Sequence, residues 1–205
     1  MTRPQIILVG NGSSLIGSGK GNLIDSHQYV ARCNNFQTRD HEEDVGCRTT
    51  HLCRRGMGDI KLFIGSELKS VINIIAHCAH ILHMDMIVKK KLIPRYGEIL
   101  TVVSEQETVE LTKDVGLVYK NEEGRWFETA TVGLVSIAYL LTQFKKISIT
   151  GFDFVEDINL TKYEHYYKRK PPGGSHNLRK EAVWIRSMVK QGRVEILPYK
   201  ENKND

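Results

Sequence analysis

The most constraining stretch of the sequence is an apolar run that leads directly into a turn of glycine, asparagine and serine. Residues 6–9 read IILV, and residues 10–14 read GNGSS. Four consecutive apolar residues are typical of a parallel strand that is buried on both faces. A glycine-rich turn after such a strand presents backbone N–H groups to an anion. The N-terminal strand is therefore predicted to lead into a phosphate site.

The rest of the chain alternates between strand and helix patterns. Strands are predicted at 30–33, 60–64, 99–103, 117–119, 147–150 and 194–197, and helices at 67–82 and 131–144. A further helix is predicted to be capped by Ser175 or Asn177 and to end at about residue 189, and 39–58 is predicted to be an irregular connection. Such alternation predicts an α/β fold, a mainly parallel sheet flanked by helices. With 205 residues the chain is predicted to be a single domain, 1–205, that ends in a charged tail at 199–205. The strand at 30–33 should end beside the first glycine turn, where ligands of open parallel sheets collect.

The net charge and the cysteines exclude few functions. The formal net charge of +5 fits an anionic ligand, but the basic residues are scattered among acidic ones, so no nucleic-acid partner is expected. The four cysteines show no C-x-x-C spacing, which favours reduced thiols in a cytoplasmic protein. No apolar stretch reaches the ~18 residues of a membrane-spanning helix. The histidines at 77, 80 and 83 and the acidic segment 153–157 are interpreted as surface, so no metal site is predicted.

The first turn partly matches one general phosphate-binding signature and fails to match another. Gly10 and Gly12 match the start of a dinucleotide fingerprint, and Arg32 stands about twenty residues on, where an NADP enzyme places an arginine. Leu15 departs from the fingerprint, because it occupies the position of the third small residue. The partial match and Arg32 keep an NADP-binding oxidoreductase as an alternative. A P-loop is excluded, because Ser14 stands at its first glycine position and Gly21 at its Ser/Thr position.

Four segments, taken together, resemble the motifs of one enzyme family. They are residues 9–34 (VGN, GSG, IDSH and VARCN in order), residues 131–134 with 147–152, residues 165–167 (HYY), and residues 176–181 (HNLRKE). These resemble the long, short, third and very short sialylmotifs of the animal-type sialyltransferases, glycosyltransferase family 29. Residues 44–51 (DVGCRTTH) are similar to the segment that follows the long motif. The four motifs stand in the family order and cover most of the chain.

The resemblance implies both a fold and a reaction. The fold would be a Rossmann-like, GT-A-like sialyltransferase variant. The reaction would be an inverting, metal-independent transfer of sialic acid from CMP-sialic acid to a sugar hydroxyl, with CMP as product and no cofactor. The acceptor would be a glycan or a glycolipid, and a lipid-linked acceptor would bring the chain into peripheral contact with a membrane.

The resemblance also assigns roles to residues. His176 would be the general base, since a neutral imidazole suits that role at cellular pH, and His165 would donate to the phosphate of CMP. The residues that would contact the donor are Asn11, Ser13, Asn34, Thr131, Gly133 and Gly151. Glu181 is expected to support the site without acting in catalysis, because an i,i+5 pair on a helix does not share a face.

Departures from the family pattern leave alternatives open. The cysteines that pair between the long and short motifs of the animal enzymes are both missing, which agrees with a reducing compartment and suggests a bacterial or viral relative. A transferase that uses CMP-Kdo would need the same CMP-reading residues. A CMP-sugar-binding module without catalytic activity is the remaining alternative.

Overall fold

A seven-stranded parallel sheet organises the molecule. The computed structural model describes residues 5–55, 70–77, 97–120, 122–124, 128–157, 164–167 and 176–197. The strands are β1 Ile6–Val9, β2 Tyr29–Cys33, β3 His51–Arg55, β4 Asn73–His77, β5 Leu100–Val103, β6 Ile147–Thr150 and β7 Val194–Ile196. They lie in the order β5-β4-β3-β2-β1-β6-β7. The predicted Rossmann-like α/β fold is confirmed.

Helices cover both faces of this sheet. They are α1 Gly21–Asp25, α2 Glu42–Val45, α3 Glu105–Leu111, α4 Val132–Gln143, α5 Asp153–Glu156 and α6 Leu178–Lys190. Ile6 and Leu8 of β1 join the core cluster under α4 and α6, whereas Ile7 and Val9 join the cluster under α1 and α2. All four are at most 2% exposed, because β1 lies inside the sheet with helices on either side. None of the described helices is long and apolar enough to cross a membrane.

Helix α4 begins where the sequence predicted, and of the two caps predicted for α6 the structure has Asn177. The side chain of Thr131 accepts a hydrogen bond from the N–H of Leu134 and so caps α4. The side chain of Asn177 accepts one from the N–H of Lys180 and caps α6 in the same way. Helix α4 is apolar nearly all round because it is buried between the sheet and its neighbours.

Three assignments in the middle of the chain were wrong. Residues 73–77, predicted as part of a helix, form strand β4, which pairs in parallel with β3 and β5. Ile74, Ile75 and Ala76 are all buried, and a short run buried on both faces is not distinguished from a helix by periodicity alone. The predicted irregular connection at 39–58 contains α2 and β3, and residues 117–119 form no strand. The predicted strand at 60–64 lies outside the described residues.

Carboxylates hold the first loop in place. The Asp153 carboxylate accepts from the Ser14 N–H at 3.2 Å and from the hydroxyls of Ser13 and Ser14 at 3.3 and 2.5 Å. The Asp44 carboxylate accepts from the N–H groups of Gly17 and Gly19 at 2.8 and 2.9 Å. Asp153 is 9% exposed, so the interpretation of its segment as surface was wrong for this residue. A loop too rich in glycine to hold its own shape is fixed by these side chains from other segments.

Candidate functional site

The sheet has one point at which the direction of the strand order reverses. From β1 the chain proceeds outwards through β2 to β5, and β6 then returns to pair with the other side of β1. Ligands of open α/β sheets bind at such a point, outside the carboxyl ends of the strands. A cavity of about 240 Å³ lies there, bordered by Gly10 after β1 and by Phe152 after β6.

Six of the eight predicted site residues line this one cavity. They are Asn11, Asn34, Thr131, Gly133, His165 and His176. The other two, Ser13 and Gly151, are not among the residues that line it. The Ser13 hydroxyl donates to Asp153, and Gly151 packs against Gly10 with a φ of 72°. Residues far apart in the sequence thus meet in one cavity, while the contacts proposed for Ser13 and Gly151 stay predictions.

The His176 ring is oriented by the segment that precedes α4. Nδ1 lies 2.7 Å from the carbonyl oxygen of Thr129 and 3.0 Å from its hydroxyl. A carbonyl oxygen only accepts, so Nδ1 carries the proton of the neutral ring and donates to Thr129. The lone pair of the neutral imidazole is then on Nε2, which is the atom left to take a proton.

A neighbouring carboxylate fixes the start of α6 relative to the same segment. The Glu128 side chain accepts from Nδ2 of Asn177 at 2.7 Å, from Nζ of Lys180 at 2.9 Å and from the N–H of Val118 at 2.7 Å. Burial raises the pKa of Glu128, but these hydrogen bonds outweigh it and lower the pKa to about 2. Glu128 therefore remains ionised and holds Asn177, the residue next to His176.

Glu181 joins α6 to the beginning of α4. Its carboxylate is completely buried and accepts from the Thr131 N–H at 2.9 Å and from the Thr131 hydroxyl at 2.6 Å. Burial raises the pKa of Glu181 to about 7, although the two hydrogen bonds act in the opposite direction. Glu181 does not line the cavity. It accepts hydrogen bonds from Thr131, which does line the cavity, while its supporting role in the reaction stays a prediction.

The raised pKa of Glu181 predicts a pH dependence of stability. Between pH 4.5 and 7 the folded chain binds more protons at this site than the unfolded chain does, so the free energy of unfolding falls as pH rises. A shift from 4.5 to about 7 corresponds to about 3 kcal/mol. Glu181→Gln should remove this contribution, so that the difference in stability between variant and wild type changes in the variant's favour from pH 4.5 to 7.

Urea unfolding of both proteins at several pH values in that window measures the difference. Glu195→Gln is the matched control, because Glu195 is an exposed carboxylate that pairs with Lys146 on the surface. The control should follow the wild-type profile. A stability difference between Glu181→Gln and wild type that stays constant with pH would contradict the assignment.

The two asparagines that line the cavity use opposite ends of their amides for hydrogen bonds within the chain. Nδ2 of Asn11 donates to the carbonyl of Cys33 at 2.9 Å, and its buried Oδ1 has no hydrogen-bond partner within the described part of the chain. Oδ1 of Asn34 instead accepts from the N–H of Arg55 at 3.4 Å. Asn11 therefore offers an acceptor and Asn34 a donor. A ligand that suits both has a hydroxyl or amino group near Asn11 and an anion near Asn34.

The segment with His165 lies against the first loop. Gly12 and His165 form an antiparallel bridge, and the N–H of Tyr166 donates to the Asn11 carbonyl at 3.0 Å. The His165 ring packs on Tyr167 with centroids 5.4 Å apart. Tyr167 in turn donates from its hydroxyl to the Asn35 carbonyl. These contacts place His165 at the cavity.

Several lining residues were missed by sequence reasoning. Arg55 and His77, at the carboxyl ends of β3 and β4, line the cavity together with Phe152 and Phe154. His77 was expected on the surface, yet it is 3% exposed. Arg55 fell within a segment interpreted as irregular. Recognising 51–55 and 73–77 as neighbouring parallel strands would have placed both residues at the ligand-binding edge.

The cavity lining contains basic side chains and lacks acidic ones among the described residues. Among the described residues that line the cavity there is no Asp or Glu, whereas Arg55, His77, His165 and His176 all contribute. No group of three or more metal-ligating side chains occurs in the described ranges. The cavity therefore suits an anionic ligand.

Arg32, the residue on which the NADP alternative depended, has a structural role. It is fully buried, and its Nε and Nη2 donate to the carbonyls of Arg48 and Val45 at 3.0 and 2.8 Å. Arg32 does not line the cavity. The position expected to read a 2′-phosphate is thus used to hold the chain between α2 and β3.

Comparisons with known proteins agree on one family. The model of glycosyltransferase family 29 (sialyltransferase) matches residues 5–193. CMP-N-acetylneuraminate-beta-galactosamide-alpha-2,3-sialyltransferase 4 of Rattus norvegicus is 26% identical over 223 residues, covering 95% of this chain and 64% of that protein. A beta-1,6-galactosyltransferase of Arabidopsis thaliana is 25% identical over 213 residues, covering 93% of this chain and 52% of that protein. The chain spans less than two thirds of the length of these relatives.

A solved structure shares the fold. The crystal structure of a mammalian sialyltransferase matches with a TM-score of 0.66 and 17% sequence identity, over 96% of this chain and 70% of that chain.

Proposed function

Because the chain belongs to glycosyltransferase family 29, the sialyltransferases, we propose that it transfers sialic acid from CMP-sialic acid to a hydroxyl group of a glycan. The observation that carries the proposal is the meeting of six predicted residues, from separate segments of the chain, around one cavity at the strand-order reversal. The donor brings a phosphodiester and a carboxylate. A lining with cationic and neutral donors and without carboxylates, within the described ranges, suits such a doubly anionic molecule.

In the proposed reaction His176 is the general base. Its Nε2 takes the proton of the acceptor hydroxyl while the hydroxyl oxygen attacks the anomeric carbon of the sugar from the face opposite the phosphate. The bond between the anomeric carbon and the phosphate oxygen breaks, and its electron pair leaves with CMP. The configuration at the anomeric carbon inverts. The Nδ1 hydrogen bond to Thr129 supports this role, because it keeps the basic nitrogen on the Nε2 side.

The leaving phosphate gains negative charge as the bond breaks, and donors near it lower the barrier. His165 and Nδ2 of Asn34 are the side chains that we assign to this task. Asn11 would accept from a hydroxyl of the ribose or from the amino group of cytosine, since Oδ1 is its available atom. With these donors the reaction is proposed to proceed without a metal ion.

A donor comparison tests the proposal. Purified protein should bind CMP in a calorimetric titration and release CMP from CMP-sialic acid when a galactoside acceptor is added. CMP-Kdo, NADPH and UDP-galactose are tested in parallel, the last because a relative is named a galactosyltransferase. Turnover with CMP-sialic acid above the other donors supports the proposal.

The other outcomes are distinct. Turnover with CMP-Kdo alone would reassign the sugar, and turnover with UDP-galactose alone would reassign the nucleotide as well. Binding of CMP without turnover on a panel of galactosides and glycolipids would identify a binding module. Binding of NADPH without binding of CMP would overturn the proposal altogether.

A further inference from the structure

Arg55 is the one permanently charged side chain among the described residues that line the cavity. It ends strand β3, two residues after Cys53, and therefore lies on the same face of the sheet as that buried residue. Its register partner on β4 is His77, which also lines the cavity. The carboxyl ends of β3 and β4 thus bring the Arg55 guanidinium and the His77 imidazole to one side of the site, away from the strand-order reversal between β1 and β6.

The position of Arg55 relative to Asn34 is defined by the backbone. The Arg55 N–H donates to Oδ1 of Asn34, which follows β2, so the two residues stand on adjacent strands. Neighbouring strands are about 4.8 Å apart. An anion held by Nδ2 of Asn34 would therefore lie next to the strand from which the Arg55 side chain projects, and both residues line the cavity.

A guanidinium in the same cavity as Asn34 matches the chemistry of the proposed donor. In a CMP-activated 2-keto acid sugar the carboxylate is attached to the same anomeric carbon as the phosphate oxygen, so the two anions are close neighbours. A planar guanidinium pairs with a carboxylate through two parallel hydrogen bonds, which an ammonium or an imidazole does not do.

We propose that Arg55 recognises the sugar carboxylate of the donor and so determines specificity for a nonulosonic acid over a neutral sugar. The inference rests on the proposed function and adds a specificity residue to it. Arg55 contributes to binding of the sugar and does not contribute to binding of CMP.

Calorimetric titration of wild type, Arg55→Gln and Arg55→Lys with CMP and with CMP-sialic acid tests the proposal. Losing a hydrogen-bonded charge pair should weaken CMP-sialic acid binding by about tenfold to a hundredfold in Arg55→Gln. CMP affinity should stay within about twofold of wild type. The affinity of Arg55→Lys for CMP-sialic acid should lie between those of wild type and Arg55→Gln, because lysine keeps the charge and loses the paired hydrogen-bond geometry.

A matched control removes the same charge elsewhere. Arg179 is exposed on α6 outside the cavity, and Arg179→Gln should bind both ligands as wild type does.

A further ligand tests the contribution of the carboxylate separately. The methyl ester of CMP-sialic acid should bind wild type more weakly than the acid does. Arg55→Gln should bind the ester and the acid equally. Melting curves identify any variant that fails to fold, and Arg55→Lys then carries the test.

Each result has one meaning. Equal weakening of CMP and CMP-sialic acid in Arg55→Gln would assign Arg55 to the phosphate and overturn the inference. Unchanged affinity for both ligands would also overturn it, while leaving the proposed function intact. Failure of wild type to bind either ligand would overturn the proposed function, and the inference with it.

Discussion

Replacing His176 by alanine should slow sialic acid transfer by about 10²–10⁴-fold, the usual contribution of a positioned acid–base group. Nδ1 of the imidazole contacts the carbonyl oxygen and the hydroxyl of Thr129, so the substitution removes the base together with these two contacts. CMP affinity should remain that of wild type, since the proposed role lies on the acceptor side. Initial rates of CMP release at saturating donor and acceptor measure the effect, and calorimetry measures CMP binding.

A second substitution at this position separates chemistry from structure. In His176→Asn the amide nitrogen stands near the place of Nδ1 and can still donate to the Thr129 carbonyl, while the basic nitrogen is gone. Both variants should therefore be equally slow, but His176→Asn should melt closer to wild type than His176→Ala. Transfer by His176→Asn at the wild-type rate would show that another group takes the proton.

The second large effect is expected at Gly10, where β1 ends against β6. A Cβ at Gly10 would lie 2.3 Å from the carbonyl oxygen of Gly151 and 2.9 Å from its carbonyl carbon. These are backbone atoms at the end of a parallel strand pair, and the N–H of Gly10 donates to the Thr150 carbonyl at 2.8 Å. The strands would have to separate, so Gly10→Ala should lower the free energy of unfolding by about 3 kcal/mol or more.

Urea unfolding measures this loss, and Gly116→Ala is its control. Gly116 has a φ of 73°, and nothing lies within 4 Å of the position of its Cβ. That variant experiences backbone strain alone, at a cost of about 1 to 2 kcal/mol. A Gly10→Ala protein as stable as Gly116→Ala would mean that the strands move apart easily at the site.

Some strands and helices could be predicted from the sequence, and others could not. The strand at 6–9 and the helix capped by Thr131 were predictable, because a fully apolar run and a cap before an apolar helix are local signals. Strands β3 and β4 were missed for the opposite reason. Arginine and histidine in β3 obscure an apolar pattern, and the spacing of apolar residues around β4 also fits a helix.

The candidate site divides in the same way. The motifs pointed to Asn11, Asn34 and His176, and these residues line one cavity. Nothing in the motifs indicated which end of each amide faces a ligand, or that Glu128 holds the residue beside His176. Both depend on partners more than twenty residues away in the chain.

The sequence by itself determined the α/β class, the first strand with its turn, and the family, because these follow from neighbouring residues and from motif order. The tertiary structure alone decided that Arg55 and His77 reach the cavity, that Asp153 fastens the first loop, and that Glu181 is buried with a raised pKa. Burial and hydrogen-bond partners are properties of residues brought together by parallel pairing between distant segments, and no local pattern encodes them.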